Sequence, residues 1–405
     1  MLKQFQDFTS PRMTSLKKLY ELIRLHGPIG ITGLVEITGY KPSTCSRLLD
    51  ELIHSGVIMD SGLGQSSGGR KPVIYVINPN SHYVIGIDIS PLHITYTLLN
   101  LSLDVLEKDL LKINESTISE DIIQFLCSRI NASISNYDIQ DSQLLGIGIG
   151  DNSLEIQYNG YMDTDITSDI HHSFRTIYFS EIQQQLEDTY NVLVRSEKGI
   201  NLAALGEYRK LYKNVSKNLV YTLCGVEIKS GIIIQGNLYE QKHAIQNTLG
   251  HTVIDVHGKK CYCGKFGCLA TYSSIPAIRE EIIRQLKRSK PSLLNQMVQD
   301  IEYINTENIL EAIRQGDPLC HSIVEDAAFY YGIGLSNLIN LLLPDIVVIG
   351  GMLSMESVFY EKVVETIQHN TVQNHSYEIQ IVRTTSGYNS IAIGAASLIL
   401  DYYGV

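Results

Sequence analysis

No stretch of this chain approaches the roughly eighteen consecutive apolar residues that span a bilayer. The N-terminus, MLKQFQDFTSPRMTSLKK, also lacks the apolar core and small-residue cleavage site of a secretion signal. Both absences point to a cytoplasmic protein with no membrane partner. A framework of paired cysteines is missing too. The chain has only 7, an odd number, and three of them cluster between positions 261 and 268, which is how a reducing compartment uses thiols for metal. Positive charge is scarce overall, and a net charge of -11 speaks against nucleic-acid affinity spread over the whole surface. The deficit is uneven, however. Residues 1–80 hold 5 Lys and 4 Arg against 3 Asp and 3 Glu, about +3, which leaves about -14 (-11 minus +3) for the remainder. Such asymmetry suggests a nucleic-acid-binding end. Low-complexity segments are absent, and 405 residues with 44% hydrophobic and 19% charged side chains imply two or three domains with ample core.

Within the basic end, Leu16, Leu19, Tyr20 and Ile23 recur at helical spacing from Thr14 and stop at Gly27-Pro28. A second short helix is expected over Ile31–Ile37, ending at Gly39. In KPSTCSRLLDELIHSG, Pro42 suits a helix start, and Cys45, Leu48, Leu49, Leu52 and Ile53 form one apolar stripe. The opposite face carries Ser43, Thr44, Ser46, Arg47 and Asp50. Small hydroxyls and an arginine near a helix N-terminus suit entry into a major groove, since they let the backbone approach and can bond phosphates and base edges. The sequence then reads strand, Gly/Ser loop, strand, with Arg70 and Lys71 at the loop. Three helices and a β-hairpin make a winged helix-turn-helix over residues 1–80. Its partner would be double-stranded operator DNA, with Ser43, Thr44, Ser46 and Arg47 in the major groove and Arg70 and Lys71 at the wing.

Residues 83–110 and 218–239 each read as three short strands separated by turns, and helical patterns follow both. LLGIGIG (144–150) and IVVIGGMLS (346–354) read as buried strands, and AIGAASLIL (392–400) as a closing helix. The arrangement predicts two similar α/β lobes. Cys261, Cys263 and Cys268 together with a histidine give four ligands suited to tetrahedral Zn2+. A full shell of protein ligands marks a structural rather than a catalytic ion. Gly264 and Gly267 supply the backbone freedom a thiolate knuckle needs. By spacing alone, either His251 or His257 can be the fourth ligand.

The winged helix, the repeated meander, the Gly-His preceding Cys-x-Cys-Gly-x-x-Gly-Cys, NLAALGE (201–207) and IVVIGG together resemble the ROK family of repressors, open reading frames and kinases. The winged helix is similar to that of the family's sugar-responsive repressors, those for xylose and N-acetylglucosamine included. The resemblance implies an α/β chain in which the winged helix-turn-helix is followed, over 81–405, by a two-lobed actin-like, sugar-kinase-like fold. Its lobes would be roughly 81–200 plus the C-terminal helix, and 201–390, assembled as a homodimer or homotetramer. It favours His251 as the metal ligand and implies that this histidine also touches a sugar.

The same resemblance argues against catalysis. The family's first phosphate hairpin is Asp-x-Gly-x-Thr, and here Asp88-Ile89-Ser90-Pro91-Leu92 has lost the glycine and an N–H donor. The second phosphate loop reads Cys224-Gly225-Val226-Glu227-Ile228, where Glu227 would repel a triphosphate. Counting back from Glu207 places the catalytic aspartate at Gly199, so no general base is expected. Asp88 then reads as a turn or surface residue. Glutamates that bond sugar hydroxyls are replaced by Thr248 and Ala270. Asn201 and His251 remain as ligand contacts, and Lys198 could pair with an anion, so the effector is a sugar or sugar phosphate. These features lead to a repressor of carbohydrate-utilisation genes. The alternatives are an active sugar kinase with an attached DNA-binding domain, or a scaffold regulator with no small-molecule effector.

Overall fold

Ser10 accepts a hydrogen bond from the Met13 N–H and starts helix α1 (Pro11–His26), whose buried face is Leu16, Leu19, Tyr20 and Ile23. The computed structural model describes residues 1–6, 10–63, 73–90, 93–114, 117–152, 179–239, 248–372, 378–385 and 389–404. A two-residue strand β1 (Ile29–Gly30) leads into α2 (Ile31–Thr38), which Gly39 ends in the left-handed region at φ 70°. Helix α3 (Pro42–His54) buries Cys45, Leu48, Leu49 and Leu52. Ile53, expected in that stripe, is 37% exposed. At 100° per residue it lies roughly 90° from the stripe's centre, at the rim of the buried face. Strands β2 (Ile58–Leu63) and β3 (Val73–Ile77) complete a small antiparallel sheet of order β1-β3-β2. The loop between them, with Arg70 and Lys71, lies outside the described residues.

Both expected meanders form, and each becomes half of a larger sheet. Strands β4 (Tyr83–Ile89), β5 (His93–Asn100) and β6 (Val105–Lys112) are antiparallel. Strands β7 (Leu144–Asp151) and β8 (Leu193–Lys198) extend the sheet in parallel, giving the order β6-β5-β4-β7-β8. Side chains alternate between its faces. Ile85, Ile87, Ile147 and Ile149 pack with Ile122, Leu126 and Ile130 of α4 (Ser119–Asn136) and with Ile182 and Leu186 of α5 (Phe179–Tyr190). On the other face Gly86 and Gly148 have no side chain. A Cβ there would lie 2.0 Å from the Ala392 carbonyl oxygen and 1.9 Å from that of Ala395, so these glycines let the closing helix rest directly on the sheet.

The chain continues through α6 (Gly199–Glu207) into a second sheet: β9 (Leu219–Cys224), β10 (Ile228–Ile234), β11 (Asn237–Leu238), β12 (Ile346–Gly350) and β13 (Gln380–Arg383). Its order is β11-β10-β9-β12-β13, with β9, β12 and β13 parallel. Helices α7 (Ile275–Lys287), α8 (Pro318–Leu342) and α9 (Ser357–Asn370) supply the core around it, with Ile282, Tyr331 and Phe359 fully buried. The closing helix is α10 (Ser390–Tyr403).

Two compact units result. One holds α1–α5, β1–β8 and nearly all of α10, and the other begins after Leu202 and holds β9–β13 and α7–α9. Within the first, Leu2, Phe5, Leu16 and Tyr20 share one hydrophobic cluster with Leu145, Ile399, Leu400 and Tyr403. The N-terminal helices therefore sit on the end of α10. No described helix is long and apolar enough to cross a membrane.

Candidate functional site

His251 closes a short turn, Thr248–His251, and the chain then doubles back on itself through bridges Val253↔Cys268 and Lys260↔Phe266. The Cys261 N–H donates to the Lys265 carbonyl at 2.7 Å, and that of Gly264 to the Cys261 carbonyl at 2.9 Å. Gly264 and Gly267 have φ of 84° and 71°, and a Cβ on Gly267 would fall 1.6 Å from the Asp255 carbonyl oxygen. Only glycine fits there.

This knuckle gathers His251, Cys261, Cys263 and Cys268, with ligand atoms all within 4.8 Å of one another. His251 Nδ1 lies 3.6 Å from Cys261 Sγ, and Cys263 Sγ lies 3.7 Å from Cys268 Sγ. Bond lengths of about 2.3 Å to sulfur and 2.0–2.1 Å to nitrogen give a tetrahedron with edges of about 3.6 Å (N–S) and 3.8 Å (S–S). The donor set therefore fits a zinc-sized tetrahedral cation. Burial pushes the Cys261 and Cys268 thiols up, so a cation is what would hold them as thiolates. His257, the alternative by spacing, is exposed, and its N–H donates to Asp255 Oδ1 at 3.0 Å, outside the set.

On α3, Ser43, Ser46, Arg47 and Asp50 are exposed and Thr44 is half-buried. Pro42 in the first turn and the buried stripe fix the helix so that this face points outward. Among the described residues the side chains of Ser43, Ser46 and Arg47 make no hydrogen bond or ion pair that would tie them down.

A third group of polar residues lies where β4, β7 and β8 end. Asp88, expected at a turn or on the surface, is only 3% exposed. Asn152 Nδ2 donates to its Oδ1 at 3.0 Å, and burial raises the carboxyl to about 7. The Asn152 side chain also occupies the space beside Gly199, where an added Cβ would meet Asn152 Oδ1 at 2.0 Å. Lys198 Nζ forms an ion pair with Asp151 Oδ2 at 2.8 Å. Glu197 Oε1 accepts from the Lys198 N–H at 2.8 Å and from Asn201 Nδ2 at 3.2 Å. Asn201 and Lys198 thus sit together in the first unit, and His251 belongs to the second. Sequence reasoning misses Asn152 and Asp151 as neighbours of this group, although period-2 counting along β7 from the partner of Asp88 reaches Asn152.

At the second hairpin, Glu227 is nearly buried and its Oε2 lies 2.6 Å from Lys229 Nζ. This ion pair offsets the Glu227 charge in place. The Gly225 N–H donates to the Glu227 carbonyl at 3.1 Å, so this turn is closed by its own backbone. Pro91 and Leu92 lie outside the described residues.

The sequence model of the ROK family matches residues 84–402. The chain belongs to the ROK family. Among its relatives are the xylose repressor of Caldicellulosiruptor bescii, 26% identical over 396 residues (96% of this chain, 97% of the relative), and the xylose repressor of Bacillus subtilis, 26% identical over 402 residues (98% and 97%). The DNA-binding transcriptional dual regulator NagC of Escherichia coli is 24% identical over 389 residues (94% and 91%). A solved ROK family transcriptional regulator, a homologue of the E. coli MLC protein, superposes with a TM-score of 0.74 at 23% identity and covers 97% of both chains. A ROK family glucokinase from Streptomyces griseus superposes with a TM-score of 0.60 at 21% identity, covering 98% of that chain but 78% of this one. The two sheets are those of the actin-like ROK fold. The family model leaves the residues before 84 unmatched.

Proposed function

We propose that this ROK protein is a transcriptional regulator that binds operator DNA and represses carbohydrate-utilisation genes in response to a sugar it does not phosphorylate. The observation that carries the reading is the outward face of α3, where Ser43, Thr44, Ser46 and Arg47 stand over a buried Cys45–Leu48–Leu49–Leu52 stripe and are followed by a β-hairpin. Helices α1–α3 with β2 and β3 would be a winged helix-turn-helix with α3 as reader and Arg70 and Lys71 on the wing. The names of relatives, xylose repressor and N-acetylglucosamine repressor, agree with it. A dimer would place two α3 helices on successive half-sites of a pseudo-palindromic operator.

Three features support a sensor without kinase activity. Gly199 stands where ROK kinases carry the base, and Asn152 fills the volume an aspartate there would need. A base must reach the substrate hydroxyl directly or through one water. Glu197, the neighbouring carboxylate, is engaged by Lys198 and Asn201. The Cys₃His knuckle would hold a structural Zn2+, whose chemistry is to cross-link the loop. His251, Cys261, Cys263 and Cys268 would fill its four positions and leave none for water.

Selection of bound duplexes from a random-sequence library, followed by titration against salt, tests the reading. A defined half-site repeated with two-fold symmetry is expected, with an affinity that falls steeply with salt. Affinity that is flat with salt, or phosphorylated sugar made from ATP, would count against it.

A further inference from the structure

Within the first unit, the head made by α1–α3 and β1–β3 joins the five-stranded sheet through residues 78–82, and this connection is bonded on both sides. The Asn78 N–H and Nδ2 donate to the Val57 and Gly56 carbonyls of the head at 3.0 and 2.9 Å. Toward the sheet, the Pro79 carbonyl accepts from the Leu101 N–H at 3.0 Å, Asn80 Oδ1 from Asn100 Nδ2 at 3.3 Å, and the Ser81 carbonyl from Gln143 Nε2 at 3.3 Å. A short connection of this kind, attached at one place only, would still act as a hinge.

The segment before α1 crosses the same joint at a second place. Leu2–Gln6 is a single 3₁₀ turn, and three residues per turn put Leu2 and Phe5 on one face. They are 0% and 1% exposed. Phe5 packs on Tyr20 of α1 with ring centroids 5.6 Å apart, and Ser55 Oγ, just after α3, donates to Met1 Sδ at 3.2 Å. On the other side, Lys3 Nζ donates at 3.2 Å to the carbonyl of Asp141, which precedes β7. Leu2 and Phe5 share one buried cluster with Leu16 and Tyr20 of the head and with Val84, Leu99 and Leu145 of the sheet. Two separate attachments remove the rotation that one would leave.

We infer that Leu2–Gln6 is a positioning clip that locks the head to the sheet of the first unit, and that through it the chain selects the spacing between operator half-sites. The inference rests on the reading of the chain as a DNA-binding regulator and adds what fixes the geometry of its target. Each base pair inserted between two half-sites moves one by about 3.4 Å and turns it by about 35° relative to the other. A head on a free hinge follows such a change, whereas a clipped one does so only by uncovering Leu2 and Phe5. Both side chains are buried and reach no base, so they act on placement alone.

The test uses the full-length protein and the variants Leu2→Ser, Phe5→Ser and the conservative Phe5→Leu. Duplexes carry the selected half-site once, or twice at separations varied by single base pairs, and gel shift reads the affinity. The parent and Phe5→Leu should prefer one separation over its neighbours by about tenfold or more, as much as a mismatched base pair costs. Both serine variants should bind the neighbouring separations nearly as well, with unchanged affinity for the single half-site and the same base preference. Selectivity for separation that survives in both serine variants, or a parent that accepts several separations equally, overturns the clip. Loss of single half-site binding overturns it too, because the segment would then serve the folding of the head. Hydrogen exchange supplies a reading that needs no DNA. The Leu101 N–H, bonded to the connection at Pro79, should exchange at least tenfold faster in Phe5→Ser, while amides within α3 and β7 keep their parent rates. An unchanged rate at Leu101 also overturns the clip. If the parent selects no duplex but Leu101 responds as expected, the regulator reading is lost and the joint stands.

Discussion

Replacing Asp88 by asparagine should make the protein more stable at neutral pH, and the gain can be worked from the structure. Burial moves the Asp88 carboxyl from an ordinary 3.8 to about 7. Its one side-chain hydrogen bond, from Asn152, pulls the other way and is outweighed. A tenfold change in proton affinity is worth ~1.4 kcal/mol, so holding the ionised carboxylate in the folded chain costs about 4 kcal/mol. Because the folded value lies above the unfolded one, stability from this group is complete below pH 3.8 and is lost as the pH rises through about 7. An asparagine side chain keeps the shape, can turn its amide oxygen to Asn152, and has nothing to ionise. The variant and the parent should therefore melt together near pH 4, diverge across pH 5–7, and differ by a constant amount above pH 8. For a unit of this size 1 kcal/mol corresponds to roughly 2–4 °C, which puts the plateau on the order of 10 °C. Differential scanning fluorimetry across buffers from pH 4.5 to 8.5 reads it directly. A difference that does not change with pH would show that Asp88 is ionised at no cost, and the burial argument would fail.

The metal set should bind one zinc per chain by elemental analysis, and Cys268→Ala should lose it together with several kcal/mol of stability, of the order seen for structural zinc; retention of stoichiometric zinc by that variant would exclude the Cys₃His assignment. Arg47→Ala should cost about 1–3 kcal/mol in operator affinity and relax the preference at one base pair of each half-site, whereas a loss that is uniform across sequences would assign Arg47 to phosphate. Gly199→Asp should destabilise by about 1–3 kcal/mol, since its Cβ meets Asn152 at 2.0 Å. The double variant Gly199→Asp with Asn152→Gly should recover much of that loss, and strictly additive effects would refute the steric pairing.

What can be read from the chain in advance divides along physical lines. Periodicity alone locates α1, α2, α3 and both meanders, because an apolar stripe at helical spacing or a β-branched run between turn residues is a local signal. The Cys₃His cluster is also legible, since three cysteines and two glycines within one knuckle leave few arrangements. Only the choice between His251 and His257 needs more than spacing, and the turn that brings Nδ1 within 3.6 Å of Cys261 decides it. Pairings across the chain are not legible. Asp88 at the end of an apolar strand looks like any turn aspartate until β7 lies beside it and brings Asn152, 64 positions away, to its carboxylate. Lys198 looks available because its partner Asp151 is 47 positions distant, and Glu227 looks repulsive until Lys229 folds back on it. Ile53 fails for a simpler reason: one residue at the edge of a helical stripe can fall on either side of the waterline.

The same carboxylate shows what separates a retained framework from a retained site. A sheet kept only for shape has no use for Asp88, because asparagine or an apolar residue of similar volume would relieve the cost of burying it, and most sequences drift toward such relief unless function opposes it. Gly199 and Asn152 have taken that course: they fit each other and leave no strained group behind. Asp88 has not. Its side chain stays buried, held by Asn152 through Oδ1, at the cost worked above. Asp88→Asn should gain stability while keeping its affinity for duplex DNA, and a loss of that affinity would give the carboxylate a part in DNA binding.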